Sequence, residues 1–127
     1  MTVWPKQEVT ALEAGYVRLP GDDQQKLRLR AVILRIRIEA VVLSITTGVF
    51  TDNNWPSRVR HKLLLSVGAP GLSADRRVER LRVVRRASST YESLCDLLHG
   101  NGPGLHPPLG DLNLWSDAVD ELEAELS

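Results

Sequence analysis

The side chains here that could do chemistry are few in kind: three histidines, one cysteine, sixteen Asp and Glu, and sixteen Lys and Arg. His61, His99 and His106 fall in a helical stretch, at a helix end and in a loop. They share no i,i+4 spacing, and no CxxC is present, so the sequence carries no metal-ligating pattern. His99 at a helix C-terminus gains from the helix dipole, a structural role. Cys95 sits between Leu94 and Leu97 on an apolar arc. A reactive thiol needs an electropositive, accessible setting, so Cys95 reads as core packing. A lone cysteine makes no internal disulfide, which suits a reducing, cytoplasmic setting. No Walker, GxGxxG or GxSxG pattern appears. Gly100, Gly102 and Gly104 alternate, but they follow a helix and enter a Pro-rich loop, whereas a phosphate cradle precedes a helix N-terminus. Carboxylates crowd residues 117–125 on what reads as a solvated face, which does not tune them for acid–base work. No catalytic, cofactor-binding or metal-binding residue is assigned, and no cofactor is implied.

The arrangement of charge is more informative. Formal net charge is zero, yet residues 18–86 hold fifteen Lys and Arg against six acids. Residues 87–127 hold eight acids and no Lys or Arg. Arg58, Arg60 and Lys62 form one basic cluster, beside His61. Arg76, Arg77 and Arg80 form a second, and these three occupy apolar-arc positions of their helix. They are explained by a snorkelling surface end, by contact with a partner or nucleic acid, or by internal pairs with acids elsewhere. Asp117, Asp120, Glu121 and Glu123 form a candidate acidic docking face. The acidic face of 117–125 is expected to lie near the basic residues of 76–86, in the same chain or in a partner chain. Burying those arginines without anions would be costly.

The elements that must position these residues are helical. Ser73 to Gly100 holds no Pro and no internal Gly, with Ser73 as N-cap, Asp75 in the first turn and Gly100 at the end. At ~100° per residue, Leu81, Val84, Ala87, Ser88, Tyr91, Leu94, Cys95, Leu97 and Leu98 share one arc. Arg82, Arg85, Arg86, Ser89, Glu92, Ser93 and Asp96 share the other. Residues 22–49 are harder to read, because LRLR and RIRI alternate as strands do. A hairpin needs a turn, however, and none interrupts Lys26 to Ile45. As a helix, with Asp22 and Gln25 as a capping pair, it has two apolar faces. Leu27, Ala31, Leu34, Ile38, Val41 and Ile45 form one, and Leu29, Ile33, Ile36, Ala40 and Leu43 the other. Residues 57–67 form a short helix capped by Ser57 or Asn54 and stopped by Gly68. Residues 111–126 form an acidic helix with Leu112, Trp115, Val119, Leu122 and Leu126 inward, after a Gly/Pro connector at 100–110. A further short helix is expected at 5–14.

The reading is one all-α domain over 1–127, a bundle of four to five helices with 22–49 and 73–99 at the centre. No signal peptide and no uncharged apolar run of membrane-spanning length is seen. The functional expectation is a non-enzymatic, cytoplasmic protein–protein interaction module, an adaptor or oligomerising subunit of a larger bacterial-type system. Two apolar faces on 22–49 leave a surplus of apolar area, which marks interfaces. The alternatives are nucleic-acid binding through helices 57–67 and 73–86, and a small metal-independent helical nuclease. Against the first stand zero net charge and the lack of Asn or Gln in 73–99. Against the second, Arg86 and His99 stand ~20 Å apart along one helix.

Overall fold

The helix expected over 73–99 is present as Ala74–Leu98, and it packs on every other described helix. A computed structural model describes residues 23–45, 55–98 and 109–126. Its elements are four helices, α1 (Asp23–Ser44), α2 (Trp55–Val67), α3 (Ala74–Leu98) and α4 (Leu109–Leu126). The chain is an all-α bundle. The helix expected at 5–14 lies outside the described residues, as do Asp22, Asn54, His99, Gly100 and His106.

The start of α3 follows from its cap. Ser73 Oγ accepts from the Arg76 amide at 3.2 Å, and the Ser73 carbonyl accepts from the Arg77 amide at 2.9 Å. Gly71 just before it has φ +86°, a left-handed conformation that suits glycine. Three boundaries differ from the sequence reading. α2 starts at Trp55, so Ser57 lies inside it, and Pro56 stands in the first turn where its missing N–H costs nothing. α4 starts at Leu109, so Leu109 and Gly110 are helix rather than connector. α1 ends at Ser44, with Ile45 outside it. There the Ile45 amide tightens onto the Val42 carbonyl at 3.1 Å, and Lys62 Nζ donates to the Ile45 carbonyl at 2.9 Å. The lysine takes up an acceptor that continued helix would have used, and β-branched Ile45 weakens continuation, while 46–49 of the expected helix lie outside the described residues.

Residue pairs give the helix directions. Arg30 meets Asn113 and Arg37 meets Asp120, both pairs advancing by seven, so α1 and α4 run parallel. Arg76 meets Glu125 while Arg86 meets Glu121, so α3 and α4 run antiparallel. Arg80 meets the Ser66 carbonyl and Arg60 meets Glu92, so α2 and α3 are also antiparallel. α3 packs on all three other helices and separates α2 from α4. Val84, Ala87, Tyr91 and Cys95 of α3 are buried and face the α1 side, where Tyr91 meets Glu39. On the opposite side of α3, Val78, Arg82, Arg85, Ser89, Glu92 and Asp96 form an exposed stripe. The molecule is thus a layer of α2, α3 and α4 with α1 beneath it.

The core between them holds Leu34, Ile38, Val42, Val59, Leu63, Val84, Tyr91, Leu94, Leu112, Val119 and Leu122. Each buried aliphatic side chain of this size contributes ~1.5–3 kcal/mol relative to exposure. Val83 and Thr90 are also buried, although helical spacing alone does not place them inside. They face α4, whose docking widens the covered arc of α3.

The surplus apolar area expected on α1 is not exposed. Ile33 is buried, and Leu29, Ile36, Ala40 and Leu43 are half-buried. α1 touches the three other described helices, which leaves little of its circumference open. The exposed large apolar side chains among the described residues are instead Leu64, Leu65, Val78 and Leu114.

Candidate functional site

The most organised chemistry among the described residues is a seam of ion pairs that holds α4 against α1 and α3. Arg37 lies mid-way along α1, in the band between its two apolar faces. Its side chain is only 10% exposed, and its fork spans two carboxylates one turn apart on α4. Nη2 meets Asp120 Oδ1 at 2.7 Å. Nε meets Glu123 Oε2 at 3.2 Å, and Nη2 also donates to Glu123 Oε1. Arginine suits this place because its planar fork satisfies two acceptors at fixed geometry. One heptad earlier, Arg30 Nη1 donates to Asn113 Oδ1 at 3.0 Å.

The other side of α4 meets α3. Glu125 Oε1 accepts from Arg76 at 2.7 Å and from Arg80 at 3.1 Å. Glu125 is 9% exposed and Arg80 15%, so this pair is largely withdrawn from water. Arg80 also donates to the Ser66 carbonyl at 3.1 Å, tying α2 into the same knot. Glu121 takes Arg82 at 3.4 Å and Arg86 at 3.2 Å, and Arg82 is shared with Glu79 at 2.7 Å. Arg82 beside it holds the Glu79 carboxyl below its ordinary range, first through a hydrogen bond.

The acidic face of 117–125 therefore does lie against 76–86, and within one chain. The face is not the solvated one that the sequence suggests: Glu121, Glu123 and Glu125 point between helices, while Asp117 and Asp120 stay exposed. Arg76 and Arg80 are internal pairs rather than a snorkelling end, and Arg77 is exposed. Of the other basic cluster, Arg58 is half-buried, Arg60 is exposed with Glu92 at 3.9 Å, and Lys62 serves the end of α1. The structure thus brings Arg76, Arg80, Glu121, Asp120 and Glu123 into one seam. It leaves Arg58, Arg60, Lys62, Arg77 and Asp117 outside it.

A second polar cluster, which the sequence reading missed, lies between α1 and α3. Glu39 Oε1 accepts from Arg35 Nε at 2.9 Å and from the Tyr91 hydroxyl at 3.0 Å. Tyr91 is fully buried. Burial first, and then the nearby Glu39 charge, hold its hydroxyl protonated well above the ordinary tyrosine range. Burial likewise pushes the Cys95 thiol up, against the lowering effect of Arg35. A thiol that is buried and raised is a poor nucleophile at neutral pH. Arg35 and Glu39 form an i,i+4 pair that the sequence displays, but nothing in the sequence marks Tyr91 as its partner. Arg37 carries a better signal. Arg30 and Arg37 are seven apart, as are Asn113 and Asp120, which is the match two parallel helices require.

No group of three or more His, Cys, Asp or Glu that could hold a metal is found among the described residues. No helix among them is long and apolar enough to cross a membrane. The fold and its seam define a class, an all-α bundle with four helices among the described residues, closed by the acidic helix α4. No protein-family model, curated protein or solved structure matches the chain.

Proposed function

We propose that this chain is a non-enzymatic helical interaction module that binds another protein or a second copy of itself. One observation carries the reading. Leu64, Leu65, Val78 and Leu114 stay between 41% and 69% exposed, while the other large apolar side chains among the described residues are buried or half-buried. Exposed apolar area set among polar residues marks an interface. Two further observations support it over nucleic-acid binding. Arg37, Arg76, Arg80, Arg82 and Arg86 are already matched by acids of α4. A phosphate backbone is bound by basic residues that are free to meet it. The buried thiol and the intramolecular carboxylates likewise favour binding over catalysis. The adaptor role in a larger system and the cytoplasmic setting belong to this same proposal.

The test is sedimentation equilibrium of the intact chain, paired with chemical crosslinking in its native cells. The module reading predicts a dimer or larger species, or a stoichiometric protein partner. A monomer with no crosslinked partner, together with tight DNA or RNA binding at ~150 mM salt, would overturn it.

A further inference from the structure

The exposed stripe of α3 has an order of charge that the ion-pair seam uses only at Arg82, which meets Glu121 and Glu79. Arg82 and Arg85 stand in its first half, and Glu92 and Asp96 in its second. Ser89, a small side chain, lies between them. The positions 78, 82, 85, 89, 92 and 96 alternate spacings of four and three, the spacing of a helix-pairing seam. Arg85 and Asp96 are exposed and have no ion-pair partner among the described residues. Glu92 has only the long 3.9 Å contact with Arg60. Laid parallel against itself, this stripe puts like charge on like. Laid antiparallel about Ser89, it puts each arginine opposite an acid.

Of the exposed apolar side chains, Val78 lies at the start of this stripe, and Leu64 and Leu114 fall on its two sides. Arg60 reaches Glu92 and Arg80 reaches the Ser66 carbonyl, so Leu64 of α2 stands level with the stretch of α3 between them. Arg86 donates to the Leu114 carbonyl at 3.3 Å, which sets Leu114 of α4 level with the same stretch on the other flank. Leu64, the middle of α3 and Leu114 thus form a row across the layer, on the side away from α1. Asp75 and Glu79 fall on the edge of α3 toward α4, where Arg82 holds Glu79.

We propose that this outer face of the α2–α3–α4 layer is the contact between two copies of the chain. A two-fold axis crosses α3 near Ser89. An interface of this kind is isologous, so every contact occurs twice. Arg85 of one copy meets Glu92 or Asp96 of the other, and the reverse. Leu64 and Leu114 are covered near the axis by the matching helices of the second copy. This names the partner left open by the interaction-module reading, and it rests on that reading.

The experiment is sedimentation equilibrium of the intact chain and of Arg85→Glu, Glu92→Arg and the double variant, at low salt. The wild type is expected to dimerise. Each single reversal sets like charges against each other twice and should raise the dimer Kd about tenfold or more. The double variant restores opposite pairing and should return near the wild-type Kd. An equimolar mixture of the two single variants should also associate, because every contact between positions 85 and 92 in the heterodimer then joins one glutamate to one arginine. Rescue in both arms is a result that general destabilisation cannot produce. A wild-type dimer indifferent to both reversals overturns this face and leaves the module reading standing. A wild-type monomer that crosslinks to a different protein in cells does the same. A monomer with no protein partner overturns both.

Discussion

Arg37→Met removes a charge from the inside of the bundle while keeping the length of the aliphatic stem. Its cost can be bounded from the exposures of the three groups. Breaking a fully buried pair by deleting one partner costs ~3–5 kcal/mol, because the other charge is left dry. An exposed pair is worth ~0–1 kcal/mol. Asp120 is 62% exposed and regains water when Arg37 is lost, so its share is small. Glu123 is 20% exposed and regains little. Arg37→Met should therefore cost ~2–3 kcal/mol, which lies between the two limits. Glu123→Gln should cost less than that, because Arg37 keeps Asp120, and Asp120→Asn should cost under ~1 kcal/mol. For a chain of this size the arginine variant should melt about 10 °C lower. The assay is urea denaturation followed by circular dichroism, in dilute buffer and in 1 M NaCl. Salt should shrink the Asp120→Asn effect by screening and leave most of the Arg37→Met effect, which is desolvation of Glu123. Equal costs for Arg37→Met and Asp120→Asn, or an Arg37 effect abolished by salt, would refute the reasoning.

Leu122→Ala deletes a fully buried side chain of α4 and should cost ~2–5 kcal/mol by denaturant titration. Cys95, the only cysteine, should be unreactive to a thiol reagent in the native state and react only as fast as the bundle opens; reaction in seconds in native buffer would contradict its burial. Because the folded Tyr91 hydroxyl titrates higher than the unfolded one, its contribution to stability is complete below the unfolded value near ~10 and is lost as pH rises past it. Stability should therefore be flat near pH 7, begin to fall past ~8.5 as the unfolded Cys95 thiol ionises, and fall further above ~10, and Tyr91→Phe should remove part of the later slope while costing about 1 kcal/mol for the lost hydrogen bond to Glu39. The intact chain should bind heparin weakly, and Arg77→Ala should change this more than Arg80→Ala, since Arg80 is half-buried and paired with Glu125.

The fold was legible where periodicity and punctuation agree. Ser73, the arc from Leu81 to Leu98 and the inward row Leu112, Val119 and Leu122 all follow from residue type and spacing. The end of α1 at Ser44 was not legible, because a lysine seventeen residues beyond Ile45 takes the Ile45 carbonyl. The exposure of apolar area was misplaced for a related reason. Two apolar faces on one helix read as a surplus, but the bundle wraps α1 and opens Leu64, Val78 and Leu114 instead. The candidate seam was half legible. Segregated charge pointed to contact between 76–86 and 117–125, yet it could not separate Glu125, which is half-buried between helices, from Asp117, which is exposed. That distinction depends on the angle at which α4 crosses α3, and no local pattern encodes it. Tyr91 and Glu39 lie fifty-two residues apart, and their hydrogen bond exists only once α1 and α3 have docked.

The central claim is that α4 is a member of the core, held by arginines of α1 and α3, and that binding therefore uses the outer face of the layer. Native-state hydrogen exchange of the intact chain tests this most directly, because it reports the free energy at which each helix opens. The account predicts that the amides of Ala118 to Leu122 exchange at the same free energy as those of Val84 to Tyr91, through global unfolding alone. Exchange of α4 at a clearly lower free energy, with α1 and α3 still protected, would contradict it. The acidic helix would then be a detachable cover over an arginine surface.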